Sequence, residues 1–197
     1  MADRVLRMST AMVVAVGLVL AGVAAREDLV ELLFYFTVQV NLAYLVVLLV
    51  GCGDRLRTAF TVYLVGTGLV FALVLANPWS GYAMVATPEA RGLVSDAGNL
   101  LLHAVAPPLA AAQWLRSRPR VALRPAYAVS LLGYPLLWLT VILVRGAMGG
   151  AEDRYLYPFL DVPRLGYPTV VLNAVLFAVT LLLIALTAVR LTRRSTG

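Results

Sequence analysis

The stretch Tyr35-Phe36-Thr37-Val38-Gln39-Val40-Asn41 places three hydrogen-bonding side chains close together in an otherwise apolar segment. The surrounding run, residues 29–50, is long enough to cross a bilayer, since about 20 helical residues span a hydrocarbon core of roughly 30 Å. In hydrocarbon, a polar group without a partner costs several kcal/mol. Thr37, Gln39 and Asn41 therefore predict that other parts of the chain meet them inside the protein.

The composition is that of an integral membrane protein. Of the 197 residues, 61% are hydrophobic and 13% are charged, against about 45–50% apolar and about 25% charged in soluble domains. The net charge of +6 comes entirely from arginines at the ends of apolar runs, where membrane topology places basic residues, so it does not indicate nucleic-acid binding. Without lysine, Schiff-base chemistry is excluded. The single cysteine, Cys52, and the single histidine, His103, predict no disulfide, zinc site or bis-histidine haem, and we expect no metal or cofactor.

Six apolar runs predict an all-α integral membrane protein, a six-transmembrane-helix bundle that forms a single domain over residues 1–197. The runs lie near residues 7–25, 30–51, 59–76, 98–116, 124–145 and 167–190. The first run also resembles a secretory signal, because arginines precede it and small residues end it. We expect it to be retained, because it is longer than a usual signal core.

The charges predict an orientation. With the N-terminus placed inside, eleven of the sixteen arginines fall in inner segments, while eight of the ten acidic residues lie outside. The positive-inside rule then makes both termini cytoplasmic. Two long extracytoplasmic loops follow, residues 77–97 and 146–166, both rich in aromatic residues and proline. They form either an interfacial belt of aromatic rings or a structured cap over a cavity that opens outward.

Helical spacing groups the polar residues of the second run. Thr37, Asn41 and Tyr44 share one helix face, and Gln39 points elsewhere. Thr37 is expected about 10 Å from the outer end of its helix.

A matching polar face occurs on the fourth run, where Asp96, Asn99 and His103 align. His103 is expected about 7 Å from the outer end, a depth similar to that of Thr37. Pro107 lacks the N–H that would bond the His103 carbonyl, so the helix should kink there and leave a polar pocket. These features make His103 the expected partner of Thr37.

Each of these residues also has a structural interpretation. Threonine in a membrane helix often bonds its own backbone, and Asn41 could join two helices. For His103 the functional interpretation is favoured, because an ionisable group inside a bilayer is costly and usually faces a cavity. Asn173, near the outer end of the sixth run, is a further candidate for a pocket.

The layout and these motifs resemble the androgen-induced protein family, which includes the androgen-dependent TFPI-regulating protein and bacterial six-helix membrane proteins. The resemblance rests on the segment 35–41, on Asn99-Leu100-Leu101-Leu102-His103 with its following proline, and on Tyr157-Pro158 before the last helix. Animal members are integral-membrane threonine hydrolases that cleave fatty acid esters of hydroxy fatty acids. The resemblance implies a bacterial member, in the cytoplasmic (inner) membrane, with Thr37 as nucleophile and His103 as general base. It would act on a membrane lipid or fatty-acyl ester.

Supporting roles are assigned from position alone. Asp96 or Asn99 would orient the imidazole, and Asn41 or Asn99 would donate to the oxyanion. The remaining candidates for substrate contact are Gln39, Tyr44 and Asn173. Two other classes of function stay open: a six-helix substrate-binding or transport protein, and a non-catalytic membrane scaffold. The oligomeric state is left open.

Overall fold

The structure, a computed structural model, describes residues 2–26, 28–84, 92–117, 122–149 and 155–194. Within those ranges the chain is helical and contains no strand, as the sequence predicts. Two π-helical turns, Phe71–Leu75 and Leu101–Val105, interrupt the α-helices. The helices are α1 (Ala2–Ala25), α2 (Leu29–Leu32), α3 (Phe36–Val50), α4 (Asp54–Val70), α5 (Leu93–Leu100), α6 (Ala106–Arg116), α7 (Pro125–Ser130), α8 (Gly133–Met148) and α9 (Val162–Arg194).

Four helical segments are long and apolar enough to cross a membrane: Asp3–Ala25, Asp54–Leu75, Pro125–Met148 and Val162–Thr192. The other two predicted spans are divided. The second becomes α2, a turn and α3, which has only 15 residues. The fourth becomes α5, a π-turn and α6. The apolar helices are compatible with a chain embedded in a bilayer.

The helices pack around α4. Helix α4 contacts α3, α6 and α9, while α1 lies against α3, α5 and α6. Tyr44, Leu64 and Leu181 are fully buried at the centre. Helix α9 is bent near its start at Gly166, whose φ of 74° is in the left-handed region that glycine tolerates.

The second run is not the continuous helix that the sequence predicts, because it breaks at residues 33–35. Side chains from elsewhere take the carbonyls released there: the Gln39 amide donates to the Leu33 carbonyl at 2.7 Å, and the Trp138 indole donates to the Phe34 carbonyl at 2.8 Å. Tyr35 is extended and caps α3. Thr37 is therefore the second residue of a new helix, not a residue two turns inside a longer one.

The fourth run departs from regular helix where Pro107 predicts it. The N–H of Ala106 bonds the carbonyl of Leu101, five residues back, and closes a π-turn just before Pro107 and Pro108. Pro107 and Pro108 have no N–H groups to donate, and the extra residue in the turn lets the helix continue past them. A second π-turn ends α4 opposite it, and the two turns contact each other.

Two glycines let α1 and α5 approach closely. A Cβ atom on Gly98 would lie 3.1 Å from the backbone nitrogen of Ala21 and 3.3 Å from the carbonyl oxygen of Gly17. Both neighbours are backbone atoms, which cannot rotate away. Small residues serve this purpose at helix contacts in membranes.

Replacing Gly98 by valine should therefore separate α1 from α5 and lower the free energy of unfolding by about 1–3 kcal/mol, the usual cost of overpacking. Thermal unfolding of the purified protein in detergent measures the effect. Gly133→Val is the matched control, because a Cβ atom on Gly133 meets nothing within 4 Å. Equal melting temperatures for the two variants would contradict the close approach.

Candidate functional site

Thr37 and His103 are in direct contact, although 66 positions separate them in the sequence. The Thr37 hydroxyl oxygen lies 2.9 Å from Nε2 of His103. Thr37 is 3% exposed, and His103 is half-buried. The contact joins the first turn of α3 to the π-turn that follows α5. The partner that the sequence predicts for Thr37 is thus the residue that it meets.

The other ring nitrogen determines which way this hydrogen bond runs. Nδ1 of His103 lies 3.0 Å from the backbone carbonyl oxygen of Asn99. A carbonyl only accepts hydrogen bonds, so Nδ1 carries the proton. Nε2 then presents a lone pair, and the Thr37 hydroxyl donates to it. The imidazole is held in the tautomer that a general base needs.

Packing holds the ring in place as well. The Phe71 ring stacks on the imidazole, with 4.6 Å between centroids and 29° between planes. Phe71 belongs to one π-turn and His103 to the other. Beneath them, a Cβ atom on Gly68 would lie 3.1 Å from the His103 carbonyl oxygen and 2.9 Å from Pro107. Pro107 leaves the His103 carbonyl without its helical partner. Because Gly68 has no side chain, this carbonyl has room to lie against α4.

Two cavities meet at this pair. The larger one, of about 510 Å³, has polar groups in its wall, among them Asp28, Glu31 and Asn99. The smaller one is a narrow apolar slot of about 50 Å³ between α8 and α9. Both are lined by the same four residues: Thr37, Leu75, His103 and Tyr157. A hydroxyl in contact with a base thus stands where a polar space and an apolar space join.

The second long loop covers the site in part. Tyr157 is 6% exposed and Leu160 is 1% exposed, and the Tyr157 ring packs against Trp138 at 5.7 Å. This part of the loop behaves as a cap. Trp79 in the first long loop is 93% exposed, as expected for an interfacial ring. Residues 85–91 and 150–154 of these loops lie outside the described part of the chain.

The expected orienting side chains do not perform that role. His103 bonds the backbone carbonyl of Asn99, not its amide, and the Asn99 side chain lies at the wall of the larger cavity. Asp96 is exposed on α5, one turn before Asn99. The group that orients the imidazole is therefore part of the helix backbone, and a pattern of side chains in the sequence cannot predict it.

The other candidates hold the structure together. Asn41 is fully buried and donates to the Thr37 carbonyl at 2.9 Å, so its amide nitrogen is already used. Gln39 accepts from the Tyr134 hydroxyl at 2.6 Å while it donates to the Leu33 carbonyl. Tyr44 donates to Gln113 at 2.9 Å, deep between α3 and α6. Among the described residues that line the two cavities, none of these three appears.

Asn173 does reach the site. It lines the apolar slot and donates to the Phe159 carbonyl at 2.9 Å, which fixes the capping loop to α9.

The contributions of Phe71 and Gly68 to the site could not be predicted from the sequence, because nothing distinguishes them from the many other apolar residues and glycines. In the parts of the chain that the structure describes, no three histidine, cysteine or acidic side chains gather closely enough to hold a metal ion.

Comparisons with known proteins add no relative. No family model matches the chain, and neither does any curated protein or solved structure compared with it.

Because His103 is the only histidine, its tautomer can be observed directly. We expect nitrogen NMR of protein labelled with ¹⁵N-histidine, purified without a histidine tag, to show Nδ1 protonated and Nε2 unprotonated. Thr37→Val should shift the Nε2 signal, because it removes the hydroxyl that donates to this nitrogen. Thr67→Val is the control, since the Thr67 hydroxyl bonds its own helix at the Tyr63 carbonyl. An Nε2–H tautomer would contradict the assignment.

Proposed function

We propose that this chain is an intramembrane lipid-ester hydrolase in which Thr37 is the nucleophile and His103 the general base. The observation that carries the proposal is the 2.9 Å contact between the Thr37 hydroxyl and an unprotonated Nε2, placed where two cavities meet. A nucleophile bonded to a base, with the base oriented by a third group, is the usual arrangement for covalent catalysis. The resemblance to the androgen-induced protein family points to the same two residues.

The first half of the reaction acylates the threonine. The Thr37 oxygen attacks the ester carbonyl carbon while His103 Nε2 takes the hydroxyl proton. The tetrahedral intermediate then collapses, the bond to the alcohol oxygen breaks, and Nε2 returns the proton to that oxygen. The Asn99 carbonyl keeps its bond to Nδ1–H throughout and stabilises the transient imidazolium.

The second half releases the acid. Water from the larger cavity attacks the acyl carbon while Nε2 takes one of its protons. The tetrahedral intermediate then collapses, the bond from the acyl carbon to the threonine oxygen breaks, and Nε2 returns the proton to that oxygen as the acid is released. The larger cavity has polar walls and adjoins His103, as this step requires.

The two cavities indicate how a lipid ester would bind. Apolar side chains line the slot between α8 and α9, including Leu139 and Phe177, and suit an acyl chain. Leu136, also in its wall, is 52% exposed on the outer surface of the bundle. A chain in the slot would therefore come from the bilayer, and the alcohol portion would occupy the larger cavity. The ester then lies at Thr37.

We further propose that the chain crosses a bacterial cytoplasmic membrane six times with both termini inside. The unequal distribution of arginines supports this orientation. In addition, Arg116 on α6 pairs with Asp3 on α1 at 3.1 Å, and Arg145 on α8 pairs with Glu31 on α2 at 3.1 Å, so charges meet at both ends of the bundle.

The size of the larger cavity also favours a second candidate, a substrate-binding or transport protein. At about 510 Å³ it falls within the range of small-molecule sites. Tight binding of a solute without turnover would support this alternative.

Hydrolysis of a medium-chain para-nitrophenyl ester, and of a fatty acid ester of a hydroxy fatty acid, tests the catalytic pair in detergent. Thr37→Ala and His103→Ala should each lower kcat/KM by about a thousand-fold or more, because each removes a group that acts on the reacting atoms. Thr180→Ala is the control, since its exposed hydroxyl bonds the Leu176 carbonyl of its own helix. Activity that survives both substitutions at wild-type level would rule out the pair.

The single cysteine tests the orientation. Cys52 lies between α3 and α4 and is partly exposed, on the side that we assign to the cytoplasm. A membrane-impermeant maleimide should therefore leave it unlabelled in intact spheroplasts and label it after permeabilisation. Trp79→Cys in a Cys52→Ser background is the control, because position 79 is 93% exposed in an outer loop and should be labelled without permeabilisation. The reverse pattern would invert the topology.

A further inference from the structure

Tyr157 occupies a fixed position beside the catalytic pair although it comes from a loop. Its ring lies 5.7 Å from Tyr35 and 5.2 Å from Phe159, both measured between centroids. It is 6% exposed and lines both cavities. Three rings, counting Trp138, thus hold the side chain at the junction where the ester carbonyl would lie.

Of the four described residues that line both cavities, Tyr157 is the one besides Thr37 and His103 with a polar side chain. Burial raises its pKa, and hydrogen bonding by the Thr37 hydroxyl and by the backbone N–H groups of Phe36 and Thr37 opposes that rise. The N–H groups of Phe36 and Thr37 thus act on the phenolic oxygen and are not free donors to a substrate. The hydroxyl keeps its proton at neutral pH and has it to donate.

The first turn of α3 supplies the N–H groups that act on this hydroxyl. The N–H groups of Val38 and Gln39 bond the Tyr35 carbonyl, whereas those of Phe36 and Thr37 precede the first intrahelical bond. The partial positive charge of the helix N-terminus is at the same place. The break in the second run, held open by Gln39 and Trp138, is what brings this N-terminus to the nucleophile.

Attack by Thr37 creates a negative charge on the former carbonyl oxygen, and donors must lie about 2.7–3.1 Å from it. Of the side chains assigned to this role from position, Asn41 is fully buried and lines neither cavity, and Asn99 lines the larger cavity but not the slot. His103 is engaged by the proton transfer. Among the described residues that line both cavities, Tyr157 supplies the remaining hydrogen-bond donor.

We propose that the Tyr157 hydroxyl is the oxyanion-hole donor of this site. The inference rests on the proposed ester hydrolysis. As the bond from the Thr37 oxygen to the carbonyl carbon forms, the π electrons of the carbonyl move to its oxygen. Tyr157 donates a hydrogen bond to that oxygen without losing its proton. The electrons return when the bond to the alcohol breaks.

Tyr157→Phe removes the donor and keeps the ring. We expect kcat for the para-nitrophenyl ester to fall about 10²–10³-fold, as for removal of one oxyanion donor, with KM unchanged. An acyl trifluoromethyl ketone, which Thr37 converts into a hemiketal alkoxide, should lose affinity by a similar factor. Tyr134→Phe is the matched control, because it deletes a partly buried hydroxyl that bonds Gln39 away from the cavities.

The outcomes separate the two proposals. If wild-type protein shows no hydrolysis that depends on Thr37, the proposed function fails and the oxyanion hole fails with it. If wild-type protein is active and Tyr157→Phe retains its kcat, only the role of Tyr157 is overturned. A variant that loses kcat but binds the trifluoromethyl ketone as tightly as wild type also overturns it. Equal melting temperatures for wild type and Tyr157→Phe exclude misfolding as the cause of the loss.

Discussion

The hydrogen bond between Thr37 and His103 meets the strictest constraint on this chain, that polar groups among apolar helices find partners within the protein. The three polar side chains of the opening segment meet it to different degrees, since Oδ1 of the buried Asn41 has no hydrogen-bond partner among the described residues. Thr37 bonds a side chain of another helical segment, Asn41 bonds its own helix, and Gln39 bonds both a broken turn and Tyr134. Only the first solution leaves a reactive group beside a cavity.

The hydrogen bonds of these polar side chains depend on irregular backbone. The break before α3 exposes two carbonyls, which Gln39 and Trp138 take, and the π-turn before Pro107 carries His103 towards α3. A second π-turn places Phe71 on the imidazole. Departures from regular helix cluster around the site, as is common where function needs a side chain re-aimed.

Several features could be predicted from the sequence because they follow from simple quantities. Apolar length predicted helices that suit a membrane, and four of them are present in the described residues. Depth and the position of Pro107 predicted that Thr37 and His103 meet. The break at residues 33–35 could not be predicted, since it contains neither glycine nor proline and depends on Trp138, more than a hundred positions away. The role of the Asn99 backbone could not be predicted either. Every residue has a carbonyl, and only the fold determines which one accepts the hydrogen bond from His103.

The bond from His103 to a backbone carbonyl has a chemical consequence. A carboxylate in that place would neutralise the imidazolium, whereas a carbonyl offers only a dipole, so proton abstraction is less strongly driven. A base of this kind suits substrates whose leaving group departs readily. Alcohols leave more easily than amines, so this arrangement is more consistent with the proposed cleavage of esters than with cleavage of peptides. The same arrangement is robust to mutation, because no side-chain substitution at position 99 removes the carbonyl that orients the ring.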